Sequence, residues 1–277
     1  MIISVASGKG GTGKTTIATN LALSLGDAQY VDCDVEEPNG YIFLRPKIEE
    51  TKPVYLPVPE VDLDKCSFCG VCAEFCRFNA LAVVKEKVLV FSELCHGCGG
   101  CALVCPESAI LEEDKEIGMV TKGFSSQLGF IEGRLNVREP VATPVVRTAK
   151  KEIEVDRTAI LDVSPGLGCS AIEAICGADY CLLVTEPTPF GLYDLRLAVE
   201  VVRKLGISFG VVINRSGEGD SLISNYCREQ NIPILMRLPF DKKIAFDYSR
   251  GLAIVSANPE YKEEFVALYE EIKEAVR

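Results

Sequence analysis

The sequence predicts an α/β fold: a mainly parallel, doubly wound sheet interrupted by a small α+β insert. Three observations predict it. Apolar strand-like runs alternate with amphipathic helical patterns along most of the chain. A glycine-rich loop stands between the first such strand and the first helix. A duplicated cysteine segment follows the second strand and breaks the alternation.

Strands are expected near 2–6, 28–32, 158–162, 180–184, 208–213 and 233–238, and helices near 14–25, 141–152, 169–176, 190–205, 220–230 and 259–276. The first strand, IISVAS, leads into GKGGTGKTT at 8–16 and then into IATNLALSL. Gly8, Gly13, Lys14 and Thr15 satisfy G-x4-G-K-[ST] in the strand–loop–helix context that motif needs. Gly8, Lys9, Gly10, Gly11, Thr12, Gly13, Lys14, Thr15 and Thr16 therefore read as a phosphate cradle. Its backbone N–H groups turn inward at the positive end of a helix. Lys14 is placed to reach the β- and γ-phosphates and Thr15 to ligate Mg²⁺. The sheet is thus expected to be that of a P-loop NTPase. The second strand ends in QYVDCD, which sets Asp32 and Asp34 at its end, ahead of VEEPNG. Asp34 lies further past the strand end, and either aspartate is open to a structural role.

The chain has 13 cysteines among 277 residues. Residues 1–7 run straight into the glycine loop, leaving no room for a secretory leader, and no apolar run approaches a membrane span. A cytoplasmic protein with reduced thiols is the expectation, and its cysteines then point to metal or redox chemistry. Eight fall in two quartets, Cys66, Cys69, Cys72, Cys76 and Cys95, Cys98, Cys101, Cys105. Both read C-x2-C-x2-C-x3-C, with each member of the second 29 positions after its counterpart. Three thiolates two residues apart wrap one face of a cubane. The fourth points away and, in a duplicated module, ligates the other cluster. One [4Fe–4S] cluster is assigned to Cys66, Cys69, Cys72 and Cys105, the second to Cys76, Cys95, Cys98 and Cys101. Zinc is the rival, but two quartets at this spacing match poorly the distant C-x2-4-C pairs that close one tetrahedron.

The segment 60–112 resembles bacterial-type ferredoxins with two [4Fe–4S] clusters. The proline usual after the fourth cysteine is present as Pro106 and replaced by Arg77 in the other repeat, a positive charge that would raise one cluster's potential. His96, the only histidine, reads as a surface turn residue. The organisation expected is an ATPase domain over 1–59 and 113–277 with a ferredoxin-like domain inserted at 60–112. Pro53, Pro57 and Pro59 mark the way in and the acidic run 112–116 the way out, and 117–140 reads as a hairpin leading back.

The form KGGTGKTT, with its second lysine, resembles the deviant Walker A loop of the MinD/ParA/nitrogenase iron-protein family. That resemblance implies that Lys9 reaches across an ATP-sandwiched dimer; the alternative for Lys9 is a solvated loop lysine. It implies a switch I in which Asp34 positions the attacking water, so that Lys9, Lys14 and Asp34 are the catalytic candidates. TAILDVSPG at 158–166 resembles the family's Walker B and switch II, with Asp162 holding Mg²⁺ through water. VVINRS places Asn214 and Arg215, and ILMRLPFD places Pro239, where the family binds adenine. The resemblance thus implies ATP and ADP, Mg²⁺, and a homodimer or a heterodimer with a paralogue. Cys169, seven residues after Asp162, sits where the nitrogenase iron protein ligates a cluster shared across its dimer, but the second ligand of that pair has no counterpart. Cys33, Cys176, Cys181 and Cys227 are expected to be small buried thiols.

The net charge of -11 argues against a nucleic-acid binder or an anionic-membrane binder. Residues 60–116 hold 11 acidic and 5 basic residues, and 117–151 hold 6 basic and 2 acidic. The acidic part would dock a basic partner, the chain's own basic segment, or only solvent. The C-terminal helix, with Asn258 as expected N-cap and Pro259 at N1, has an acidic polar face. It reads as a core-packing helix, not a membrane anchor. Three functions are open. The first is an ATPase whose cycle gates electron transfer to an unidentified redox or client protein. The second is an ATP-dependent iron–sulfur cluster carrier or scaffold. The third is a MinD/ParA-type regulator with redox-sensing clusters.

Overall fold

The computed structural model describes residues 1–277. The chain begins β1 (Ile2–Ala6), α1 (Lys14–Leu25), β2 (Ala28–Cys33), α2 (Gly40–Leu44) and β3 (Lys47–Val61). The cysteine region follows as α3 (Val71–Phe75), β4 (Leu81–Val83), β5 (Val88–Val90) and α4 (Gly100–Val104). Next come β6 (Ile110–Ser125), β7 (Leu128–Leu135), α5 (Thr143–Lys151), β8 (Thr158–Val163), α6 (Cys169–Ile175) and β9 (Tyr180–Thr185). The chain ends with α7 (Pro189–Leu205), β10 (Ser208–Ser216), α8 (Asp220–Glu229), β11 (Ile234–Pro239), α9 (Lys242–Ser249), α10 (Ile254–Ala257) and α11 (Tyr261–Val276).

Nine strands form one sheet in the order β11-β10-β9-β1-β8-β2-β7-β6-β3. The strands from β11 to β7 are parallel, and β6 and β3 continue the sheet antiparallel. The central strands β2, β8 and β9 are buried almost throughout, because helices cover both of their faces. On one face Ile17 and Leu21 of α1 and Phe265, Leu268 and Ile272 of α11 pack on Ile3, Tyr30 and Ile160. On the other, Val145, Ile175, Leu195 and Ile223 of four helices pack on Val31, Leu161 and Ile213. The C-terminal helix is therefore a core element.

Several expectations need correction. Asn258 does not cap α11. Its backbone N–H closes α10 on Ile254 O at 2.7 Å, its buried side chain reaches Asp247, and the long helix starts only at Tyr261. Cys176 is exposed, because it ends α6 at the surface, whereas Cys33, Cys181 and Cys227 are buried. Pro53, Pro57 and Pro59 are not loop punctuation but lie inside the 15-residue strand β3, which runs up to the cysteine segment. They are tolerated because β3 is the sheet's edge strand, where a missing N–H breaks no ladder on the open side. The expected hairpin over 117–140 exists as β6 and β7, but β6 begins at Ile110 and pairs with β3 from Val61↔Ile110 down to Lys47↔Phe124. Pro59 stands opposite Glu112 on this ribbon, so the two expected domain boundaries fall at one level of a continuous ladder. The core is continuous there too: Leu56, Val58, Ala80 and Cys95 belong to the same buried cluster as Val31 and Leu161.

Candidate functional site

The loop after β1 and the first turn of α1 form the floor of a cleft at the C-terminal edge of the parallel strands, where open α/β sheets take ligands. It encloses about 390 Å³, the size of a small-molecule site. Gly13 has φ 94° and no side chain caps α1, so the N–H groups of that helix end are left for an anion. Gly13 also has to be glycine for space. A Cβ there would lie 2.2 Å from Nδ2 of Asn214, which donates to Thr12 O at 2.7 Å. Gly8 is equally confined, against the Asp194 carbonyl of α7.

Of the residues expected to bind nucleotide, Gly10, Gly11, Gly13, Lys14, Thr15, Thr16, Asp34, Asn214, Arg215 and Pro239 line this one cleft. Phe240, Asp241 and Tyr248 complete its far wall. Asn214 is tied down at both ends, since its Oδ1 accepts the Arg215 N–H at 2.9 Å. Lys14 is nearly buried, and that burial pulls its pKa down against the attraction of Asp162 and Asp34. Burial acts on Asp34 in the opposite sense. With Asp162 adding to it and Lys14 opposing, the Asp34 carboxyl is pushed up to about 7.

Asp162 lies beneath the cleft at zero exposure. Burial raises its pKa, with Thr15, Lys14 and Tyr30 opposing. Its Oδ2 accepts from the Tyr30 hydroxyl at 2.9 Å, while its Oδ1 is buried without a hydrogen-bond partner, as is Oγ1 of Thr12. Such orphaned oxygens are rare in native proteins and mark where a missing partner fits. A divalent cation and its waters suit the Asp162 oxygen. Asp32, the other candidate of the second strand, is structural. It is fully buried and accepts the N–H groups of Asp34, Asn39 and Gly40, thereby shaping the loop that presents Asp34.

Lys9 does not face the cleft. Its ammonium pairs with Oε1 of Glu186, whose Oε2 accepts from Arg215 Nη1 at 3.0 Å. Neither Glu186 nor Tyr30 is singled out by the motifs. Glu186 follows β9 at the strand end, the place where ligand residues gather, but an acid beside an anion site is counter-intuitive. Tyr30 is two residues before Asp32 on one strand, and so on the same face, which is the signal that could have found it.

The eight paired cysteines divide by cavity, not by sequence. Cys66, Cys69, Cys72 and Cys105 line one cavity, and Cys76, Cys95, Cys98 and Cys101 line another. Each set of four lines the wall of its own cavity. The repeat is structural as well as sequential. α3 and α4 stand 29 positions apart, and positive φ recurs at Phe68 and Gly97, Gly70 and Gly99, Asn79 and Ser108. Equivalent backbone bonds recur in each repeat: the Ala80 N–H donates to Cys76 Sγ and the Ala109 N–H to Cys105 Sγ, both at 3.3 Å. Pro57, Pro59 and Glu112 of the ribbon wall the second cavity, beside Arg77. His96 is exposed as expected, stacked on Phe78 with centroids 3.7 Å apart. Cys169 is exposed at the start of α6. Three of the six basic residues of 117–151 are paired within the chain: Lys122 with Glu152, Arg134 with Glu132 and Arg147 with Glu173.

Residues 3–254 match the CobQ/CobB/MinD/ParA nucleotide binding domain. The chain belongs to that family. An uncharacterized protein of Methanocaldococcus jannaschii, MJ0579, is 32% identical over 93% of both chains. An iron-sulfur cluster carrier protein of Methanococcus maripaludis is 23% identical, covering 99% of this chain and 85% of its own. An uncharacterized ferredoxin of Methanocaldococcus jannaschii, MJ0265, is 37% identical over 70 residues, 24% of this chain and 39% of that one. Among solved structures, the septum site-determining protein MinD of Pyrococcus horikoshii, complexed with Mg-ADP, superposes with a TM-score of 0.59 at 21% identity, over 98% of this chain and 95% of that one. That likeness is one of fold. Family membership and the cleft geometry agree: the family is one of nucleotide-binding domains, and this chain keeps the loop, the helix end and the strand-end cleft that such binding requires. No helix is long and apolar enough to cross a membrane.

Proposed function

We propose that this protein is a Mg²⁺-dependent ATPase carrying two [4Fe–4S] clusters, and that nucleotide-dependent association of two copies is coupled to electron transfer through them. The observation that carries the reading is the ribbon. It forms one edge of the sheet, begins soon after the loop that presents Asp34 and α2, and walls the second cysteine cavity. A shift in that loop on loss of a γ-phosphate has a short, rigid route to the cysteines.

ATP is the substrate, with its phosphates on the N–H groups of Gly10–Thr16, on Lys14 and, across a dimer, on Lys9. Lys14 and Lys9 neutralise charge as the γ-phosphoryl passes to water, and Asp34 orients that water. Thr15 and Asp162 hold the cation. Asn214, Arg215 and Pro239 flank the base. Cys66, Cys69, Cys72 and Cys105 hold one cluster, and Cys76, Cys95, Cys98 and Cys101 the other. When bound, such clusters supply one-electron transfer. The experiment is anaerobic purification with iron and sulfide counts, then EPR of the reduced protein with Mg-ATP and with Mg-ADP. About eight irons per chain and a nucleotide-dependent change in the cluster signal are expected. Zinc in place of iron, or a signal indifferent to nucleotide, would overturn the reading.

A second reading is an ATP-dependent cluster carrier. The 23% identity to a protein named for that role favours it, as does the exposure of Cys69 and Cys98. Cys95 is buried and rooted in the main core, which counts against release of its cluster. Transfer to an apo-acceptor, with and without ATP, separates the two readings: retention with reversible reduction supports electron transfer.

A further inference from the structure

We propose that Tyr30 is the positioning residue that orients Asp162 toward the divalent cation and ties it to the loop carrying Asp34. This rests on the nucleotide reading above. Asp32 of β2 and Asp162 of β8 are register partners, so two buried carboxylates face one another at the strand ends. Two isolated carboxylates so placed would repel without screening. The Tyr30 hydroxyl fills the space between them, 2.9 Å from Oδ2 of Asp162 and 3.3 Å from Oδ2 of Asp32.

The ring is fixed on every side. It stacks on Phe130 with centroids 6.1 Å apart and an interplanar angle of 15°. Its edge lies so close to Gly40 that a Cβ there would stand 2.3 Å from Tyr30 Cε1 and from the hydroxyl. Gly40 opens α2, and its N–H donates to Asp32 at 3.0 Å. Asp32 also holds the N–H groups of Asp34 and Asn39, each at 3.2 Å. One hydroxyl therefore joins the carboxylate below Lys14 and Thr15 to the three backbone bonds that shape loop 34–40. It also settles which oxygen of Asp162 is free. Oδ2 is engaged, and the buried, unpartnered Oδ1 is the atom left for a cation's water. Outer-shell partners of this kind set ligand orientation, and their loss lowers metal affinity roughly 10–100-fold.

The test is Tyr30→Phe, which keeps the ring, the Phe130 stack and the Gly40 contact and removes one oxygen. The full-length protein with its clusters is loaded with ADP and titrated with Mn²⁺, with free Mn²⁺ counted by EPR. Affinity for Mn²⁺ should fall about tenfold or more, while ADP binding in EDTA stays within about twofold. Unchanged Mn²⁺ affinity in Tyr30→Phe overturns the proposal. Amide exchange of residues 34–40 is the second readout. Added cation should slow it in the unmodified protein and not in the variant, and equal slowing in both overturns the link to the loop. If the unmodified protein binds no ADP with or without cation, the nucleotide reading itself falls.

Discussion

Lys9 is bound within its own chain: its ammonium pairs with Oε1 of Glu186, and Arg215 holds the other oxygen of the same carboxylate. Glu186 is only 13% exposed, so the pair is better shielded than an ordinary surface ion pair. If Lys9 serves a nucleotide across a dimer, it must first leave Glu186, at a cost of about 1 kcal/mol. Glu186→Gln removes the charge and keeps the shape. Two such pairs break in each dimer, so with Mg-ATP this variant should dimerise at roughly thirtyfold lower protein concentration, read by analytical ultracentrifugation. Weaker dimerisation would instead assign Glu186 to the interface itself.

Gly11 and Gly13 both have positive φ, 77° and 94°, but differ in what a methyl group would meet. At Gly11 there is nothing within 4 Å, while at Gly13 stands the Asn214 amide. Gly11→Ala should cost about 1 kcal/mol from backbone conformation alone. Gly13→Ala should cost about 2 kcal/mol or more, because Asn214 must release Thr12 O as well. Thermal melts check the first quantity. Binding of a fluorescent ATP analogue checks the second effect, a loss of about tenfold or more in affinity for Gly13→Ala only.

Much of this was legible because local chemistry dictates it. The glycine loop needs only nine consecutive residues, and the cysteine spacing declares its own geometry. What sequence spacing could not show is long-range pairing. The prolines of β3 look like linker punctuation until the strand is seen to be an edge, and β6 looks polar because half of it faces solvent. Asp32 and Asp34 are near-identical in a sequence. The three N–H groups that convert Asp32 into a structural residue come from a loop whose path is set by tertiary contacts. Asn258 looked like a helix start because the short α10 before it carries no periodic signal.

The cavity assignment of the cysteines is open to a pairwise test. If each cavity holds one cluster, Cys66→Ser with Cys105→Ser strikes a single cluster although the residues come from different repeats. Cys66→Ser with Cys76→Ser strikes both although they are neighbours in sequence. Iron per chain should fall from about eight to about four in the first variant and toward zero in the second. The reverse pattern would show that each quartet in sequence holds its own cluster.

Burial, then Asp162, pushes the Asp34 carboxyl up to about 7, against an ordinary value near 3.9 in an unfolded chain. Between those values the folded protein holds a proton that the unfolded chain has lost. Stability from this group is therefore fully present below about pH 4 and declines as pH rises to about 7. Asp34→Asn cannot titrate and escapes the decline. The carboxyl is partly exposed, so solvent screening reduces the effect to about 1 kcal/mol. Without nucleotide, Asp34→Asn should melt higher than the unmodified protein at pH 8, with the gap narrowing toward pH 5. A variant that melts lower at pH 8 would show that Lys14 outweighs Asp162 and that the carboxylate is held ionised.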